Sequence, residues 1–423
     1  MWEALTQFVK ARDLRRKAIF VLALLAIFRL GATVPVPGVN AAQLQNLFSG
    51  ETGQILGLLN LFSGSALANL SVMMLGVGPY ITASIIMQLL TMIFPRLKEM
   101  YQEEGEAGRQ RFNQYSRLLT VPLALLQGYG LLTLLARQGL LSNLSLFGLV
   151  ADMLIITAGS IVLMWLGELI TEKGLGNGVS LIIFAGIVAR FPTDFTRFSA
   201  TFEASKVPSV IAFLAIAVIV IAGVVLINEG ERAVPVSYAK RIRGSRMYGG
   251  ISTHLPLRVN QAGVIPIIFA LSILLFPSMI GAFLSRVPQL TALAQFLTSL
   301  TQNQLVYGGL YFVLVVLFTY FYTAVTFDPQ AISSNLQKQG GFIPGIRPGN
   351  TTAEYLYRIL TRITLGGAVF LGLIAVLPLI IQGFLRITTL TIGGTALLIV
   401  VSVVLETAKQ VKAQLVMREY EGF

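Results

Sequence analysis

The sequence predicts an all-α integral membrane protein with ten transmembrane helices, and three observations carry that prediction. Of 423 residues, 55% are hydrophobic and 12% charged, with a mean hydropathy of +0.76; soluble chains carry about 25% charged residues. The apolar residues gather into runs approaching the length a bilayer demands of a helix, about 20 residues. Lys and Arg alternate between the segments that separate these runs: 24 of the 31 fall in every second segment.

In chain order the runs are Ala18–Val34, Val72–Phe94, Leu118–Ala136, Ala151–Leu169, Val179–Ala189, Val210–Ile227, Gly263–Ile280, Leu305–Phe327, Ile363–Ile381 and Gly394–Leu405, called spans 1 to 10. Span 5 is short for a crossing. With the N-terminus inside, the basic residues of Lys10–Lys17, Arg96–Arg117, Lys173, Arg232–Arg258, Lys338–Arg362 and Lys409–Arg418 are cytoplasmic. The outer segments and adjoining helix ends hold only Arg29, Arg137, Arg190, Arg197, Lys206, Arg286 and Arg386. Such a bias orients spans during insertion, so both termini are expected in the cytoplasm. The same bias accounts for the net charge of +12 without invoking nucleic acid. No cleavable signal is expected before span 1, because no small-residue cleavage site precedes Pro35 and Pro37. There is no Cys, hence no disulfide framework or thiolate site.

Ion-coupled transporters keep ionisable groups at bilayer depth, where a charge is costly. Here Arg29, Asp152, Glu168, Glu229, Arg362 and Glu406 all lie toward span ends, within reach of the interface by snorkelling. The only histidine, His254, sits in a basic cytoplasmic loop. No H-E-x-x-H, G-x-S-x-G or phosphate-binding loop occurs. The chain is expected to have no catalytic centre, metal or cofactor.

Residues 1–200 carry spans 1 to 5 and residues 201–423 carry spans 6 to 10. Pro79-Tyr-Ile-Thr-Ala83 opens span 2 and Pro266-Ile-Ile-Phe-Ala270 lies five spans later, at the head of span 7. Pro-interrupted spans at matching places in two halves point to inverted repeats around a central path, and an odd number of spans per half makes the halves oppositely oriented. Before span 2, Leu56–Ser71 is apolar but punctuated by Gly57, Asn60, Ser63, Gly64, Ser65, Asn69 and Ser71. Pattern alone fits two placements: a re-entrant element at membrane depth, allowed where protein satisfies its backbone, or an interfacial helix. Between spans 6 and 7, residues 228–260 alternate in Ala233–Ala239 and bunch Lys240, Arg241, Arg243 and Arg246 at a tip, the pattern of a basic β-hairpin. Its partner is either anionic lipid or a docked macromolecule; a hairpin that holds its charges off the membrane favours the second. Residues 328–362 present Arg347 on a stretch stiffened by Pro344 and Pro348.

These residues resemble the SecY family, the channel subunits of the bacterial protein-translocation machinery. The resemblance covers essentially the whole chain. It rests on Arg29-Leu-Gly31, Pro35-Val-Pro-Gly38, Asn60-Leu-Phe-Ser-Gly64, Pro79–Ile86, Trp165-Leu-Gly-Glu168 and Gly174–Ser180. It continues through Tyr238-Ala-Lys-Arg241, Ser252–Leu257, Asn260–Pro266, Gly345-Ile-Arg-Pro-Gly349 and Gly393–Ile399. It implies an hourglass pore between the two halves, in the bacterial inner membrane, passing unfolded secretory polypeptides and releasing membrane-protein segments laterally. It implies an aliphatic pore ring of Val77, Ile81, Val179, Ile183, Ile268 and Ile399. A plug is implied at about 57–71, through Gly57, Asn60, Leu61, Phe62, Ser63, Gly64 and Ser65. The lateral gate would fall on Thr82 and Phe276. Lys240, Arg241, Arg243, Arg246 and Arg347 match positions that engage the ribosome or the motor ATPase SecA. Small SecE-type and SecG-type subunits are the implied membrane partners, and signal-bearing preproteins the cargo. The alternative from another class is a secondary transporter of a small solute, for which the spans offer little buried polarity.

Overall fold

The computed structural model describes residues 11–37, 60, 63–64, 66–137, 145–200, 207–238, 241–243, 246–248, 252–284, 288–385 and 394–421. Each of the ten apolar runs falls on a helix of its own. Spans 1 to 5 lie on Arg12–Gly31, Gly78–Ile93, Gly105–Arg137, Leu146–Lys173 and Gly178–Ala200. Spans 6 to 10 lie on Val207–Glu229, Ile265–Leu284, Gln304–Thr326, Asn350–Leu385 and Gly394–Glu421. Among the described residues, Leu146–Lys173, Val210–Glu229, Gln304–Lys338 and Asn350–Ile381 are individually long and apolar enough to cross a membrane. The others are shorter, bent or carry polar and basic turns.

Two boundaries differ from the sequence expectation. The apolar part of span 5 is short, Gly178–Thr193, but its helix runs 23 residues, past Arg190 and Pro192, where the apolar run had ended. Span 2 is shorter than its apolar run, because Val72–Val77 form turns and the helix begins only at Gly78. Gly76 has φ +60°, a left-handed turn that an L side chain resists, and Pro79 occupies the first helical turn, where its missing N–H costs nothing. The Ser160 hydroxyl of span 4 donates to the Gly76 carbonyl at 2.9 Å, satisfying a backbone group that the turn leaves free. At its other end span 2 stops at Phe94, held extended before Pro95, and the chain bends by 114° into Pro95–Gln102.

The helix-neighbour map is duplicated. In the first half span 1 packs on spans 4 and 5, span 2 on 3 and 4, and span 4 also on 3 and 5. In the second half span 6 packs on 9 and 10, span 7 on 8 and 9, and span 9 also on 8 and 10. Adding five to each number of the first set yields the second. The repeat that Pro79 and Pro266 hinted at is thus a repeat of packing, carried by few identical side chains.

Outside the bundle there is a small sheet, which contains the hairpin expected between spans 6 and 7 and one strand that was not expected. Strand β1 (Glu231–Tyr238) and two short strands, β2 (Arg241–Arg243) and β3 (Arg246–Tyr248), precede β4 (Ser252–Arg258). β1 pairs antiparallel with β4 from Glu231↔Arg258 to Ser237↔Ser252, and β2 pairs with β3. A further strand, β5 (Gly341–Phe342), comes from the loop after span 8 and pairs with β1 through Ser237↔Phe342 and Tyr238↔Gly341. Val234 and Val236, alternating inward with period two, cluster with Leu257, Ile343, Leu356 and Ile359.

Candidate functional site

The halves meet where span 2 packs on span 7 and span 5 on span 10, with span 3 also touching span 7. The duplication exchanges span 2 with 7 and span 5 with 10, so these two contacts map onto themselves and mark the pseudo-symmetry axis. The six residues expected to form the pore ring lie on those four spans. Val179 and Ile183, four apart, share one face of the span 5 helix, and Val77 caps the span 2 helix, its carbonyl accepting from the Ile81 N–H at 3.0 Å. Val77, Ile81, Ile183, Ile268 and Ile399 are buried in a single hydrophobic cluster that draws from both halves, and Val179 packs against it. Aliphatic side chains offer no hydrogen bond, so the cluster presents no polar group to a solute.

Of the segment about 57–71, Gly57, Leu61, Phe62 and Ser65 lie outside the described residues. Asn60, Ser63 and Gly64 are buried, which is not the placement of a helix lying on the membrane surface. Polar side chains organise the backbone here: Asn60 Oδ1 accepts from the Ala68 N–H at 2.8 Å, and Ser63 Oγ from the Leu67 N–H at 3.0 Å. From Ala66 onward the segment joins the first half: Leu67 and Leu70 are fully buried with Val36, Met74, Leu132 and Ile156. The Val36 N–H donates to the Leu70 carbonyl and the Val72 N–H to the Val34 carbonyl, each at 2.9 Å.

Thr82 is buried; its hydroxyl donates to the Gly78 carbonyl at 3.0 Å and accepts from Gln127 Nε2 of span 3 at 3.3 Å. Its hydroxyl therefore faces span 3. Phe276 lies on the span 7 helix, and its side chain is outside the described residues.

In the loop between spans 6 and 7, β2 carries Arg241 and Arg243 and β3 carries Arg246, while Lys240 lies outside the described residues. Arg347 is exposed on a loop whose backbone is pinned. The Ile346 N–H donates to the Ile343 carbonyl at 3.0 Å, Thr352 Oγ1 to the Arg347 carbonyl at 2.9 Å, and Ser333 Oγ to the Gly349 carbonyl at 2.7 Å. The β1–β5 pairing joins this loop to the basic hairpin, which sequence reasoning had treated as separate. A strand of two residues has no periodicity to detect. A second feature missed is polar: Asn260 Nδ2 donates to Asn228 Oδ1 at 2.7 Å and Asn228 Nδ2 to Ser402 Oγ at 2.9 Å, tying the start of span 7 to spans 6 and 10. Asparagines at the ends of apolar runs were its only trace.

A duplicated set of membrane helices meeting at an aliphatic centre, with a further buried segment packed into one half, defines a multi-pass membrane channel. The family model for SecY matches residues 71–408. The protein translocase subunit SecY of Mycobacterium tuberculosis is 46% identical over the full length of both chains. Among solved structures, one described as the structure of a protein conducting channel superposes with a TM-score of 0.63 at 21% identity, covering 93% of this chain and 91% of the other. Sec61 in the canine ribosome–channel complex from the endoplasmic reticulum gives 0.60 at 20% identity, with the same coverage of each chain. The chain belongs to the SecY family, and it is a channel-forming subunit of a protein translocase. The solute-transporter alternative is set aside by that membership.

Proposed function

We propose that the chain conducts unfolded secretory polypeptides across the bacterial plasma membrane, with both termini in the cytoplasm, and releases membrane-protein segments sideways between spans 2 and 7. One observation supports this above the rest: Val77, Ile81, Ile183, Ile268 and Ile399 belong to one buried apolar cluster that draws on both halves, with Val179 packed against it, on the four spans through which the halves touch. A constriction of that chemistry blocks ions at rest and yields to a passing chain without hydrogen bonds that would hold it. In this reading residues 1–200 and 201–423 are the two moving halves, Val77, Ile81, Val179, Ile183, Ile268 and Ile399 form the ring, and the stretch about 57–71 is the plug. Thr82 and Phe276 face the lateral gate.

The chain has no catalytic centre of its own in this reading, so energy comes from a docked partner. The Arg347 loop is tied through β5 to β1, and Arg241, Arg243 and Arg246 stand on the β2–β3 pair that lies between β1 and β4 in the chain; with Lys240 these residues form the docking platform for SecA or the ribosome. The canine Sec61 relative was solved on a ribosome. SecE-type and SecG-type subunits complete the membrane complex. The test is reconstitution of the chain with those subunits in proteoliposomes, with SecA, ATP and an unfolded preprotein. Signal-dependent protection of the preprotein from added protease is expected. Loss of protection while SecA still hydrolyses ATP normally would sink the proposal.

A further inference from the structure

Arg29 is the one basic residue near the outer end of span 1, and its position suggested a side chain that snorkels to the interface. Its guanidinium does something else. Nη1 donates to the Gly64 carbonyl at 3.0 Å, across 35 residues of sequence. Among the described residues Arg29 forms no ion pair, so the partner of this charge is a neutral backbone oxygen. The neighbouring Phe28, fully buried, packs its ring tip against Gly64, leaving no room for a Cβ there. Gly64 has φ +61°, the left-handed conformation that turns its carbonyl out of the local chain direction and that glycine adopts freely. On the opposite side stands Gly186 of span 5, so near that a Cβ on it would collide with the Gly64 backbone. Gly64 is thus held between spans 1 and 5, with Arg29 capping its oxygen.

We propose that Arg29, with Phe28 and Gly186, forms the seat that latches the plug in the closed channel, the inference resting on the plug reading of the preceding section. A buried loop carbonyl needs a donor, and a charged donor makes the bond stronger than a neutral one. A neutral acceptor keeps it reversible: when the segment leaves, no buried carboxylate is stranded, and the guanidinium meets the water of the opened path. Arg29 is a positioning residue, acting on translocation only through the segment it holds.

The test compares resting ion conductance of the purified translocase in planar bilayers for two backgrounds, the full chain and a chain lacking residues 57–64. In the full chain, Arg29→Met is expected to raise resting open probability about tenfold, the effect of losing a charge-assisted hydrogen bond to a buried group, and Arg29→Lys to raise it less. Gly186→Ala, which disturbs the seat from the other wall, is expected to leak similarly and keeps the test available if Arg29→Met does not accumulate. In the deletion background, already leaky, neither substitution should add anything. Leak that is undiminished there marks Arg29 as a general structural residue of span 1 and overturns the latch. A leaky deletion with tight Arg29→Met and Gly186→Ala channels overturns the latch while sparing the plug. A deletion that stays at background conductance removes the plug reading and the latch with it.

Discussion

The centre of the bundle and the sheet outside it are held together by opposite kinds of contact. At the centre, side chains from spans 2, 5, 7 and 10 touch through aliphatic surface, which is non-directional and re-forms after any relative sliding. Outside the bundle the two loops share a β-ladder, β4–β1–β5, over a small core; its hydrogen bonds fix register and resist sliding. In the proposed mechanism the first region parts and reseals, which suits the first kind of contact, and the second hands on a push, which suits the second.

Polar substitution at the centre should break this contrast most strongly. A buried amide without a partner costs about 1–3 kcal/mol, and about 1.4 kcal/mol is tenfold in an equilibrium. Ile81→Asn, Ile183→Asn and Ile268→Asn should therefore each raise resting conductance in planar bilayers about tenfold or more, and admit preproteins with defective signals. Background conductance in all three would show that the ring lies elsewhere.

The next largest effect is expected at Arg347, with the opposite phenotype: transport lost, seal intact. A guanidinium grips carboxylate or phosphate bidentately, which an ammonium cannot, and a pinned loop loses little entropy on docking. Arg347→Glu should abolish SecA-driven import into inverted vesicles at matched channel levels, and Arg347→Lys should impair it several-fold. Arg243→Glu should do less, because Arg241 and Arg246 stand on the same hairpin pair. Full activity of Arg347→Glu would leave that charge as a topology signal only.

The smallest effect sharpens the comparison. Ile343 is buried in the sheet's core beside Val236 and Leu356, and its truncation to Ala costs about 2–5 kcal/mol locally. Ile343→Ala should lower SecA-driven transport a few-fold by loosening the Arg347 loop, while resting conductance stays at the wild-type level. A leak equal to that of Ile81→Asn would mean the two regions are mechanically one.

Hydropathy, the Lys/Arg bias and the Pro and Gly punctuation by themselves determined the span count, the expected orientation and the basic hairpin, because bilayer thickness and insertion impose rules on every residue of a span. The proposed ring and gate positions rest on resemblance, since an aliphatic residue inside a span looks the same whether it faces lipid, a neighbour or a pore. The fold alone decided three things. It showed that the two halves repeat in packing, which few shared side chains record. It joined the loop after span 6 to the loop after span 8 through a strand of two residues, too short for any periodicity. It placed Arg29 against the Gly64 carbonyl, 35 positions away. Each depends on contacts between residues far apart in the chain, and a local pattern cannot carry information about which distant backbone group will arrive beside it.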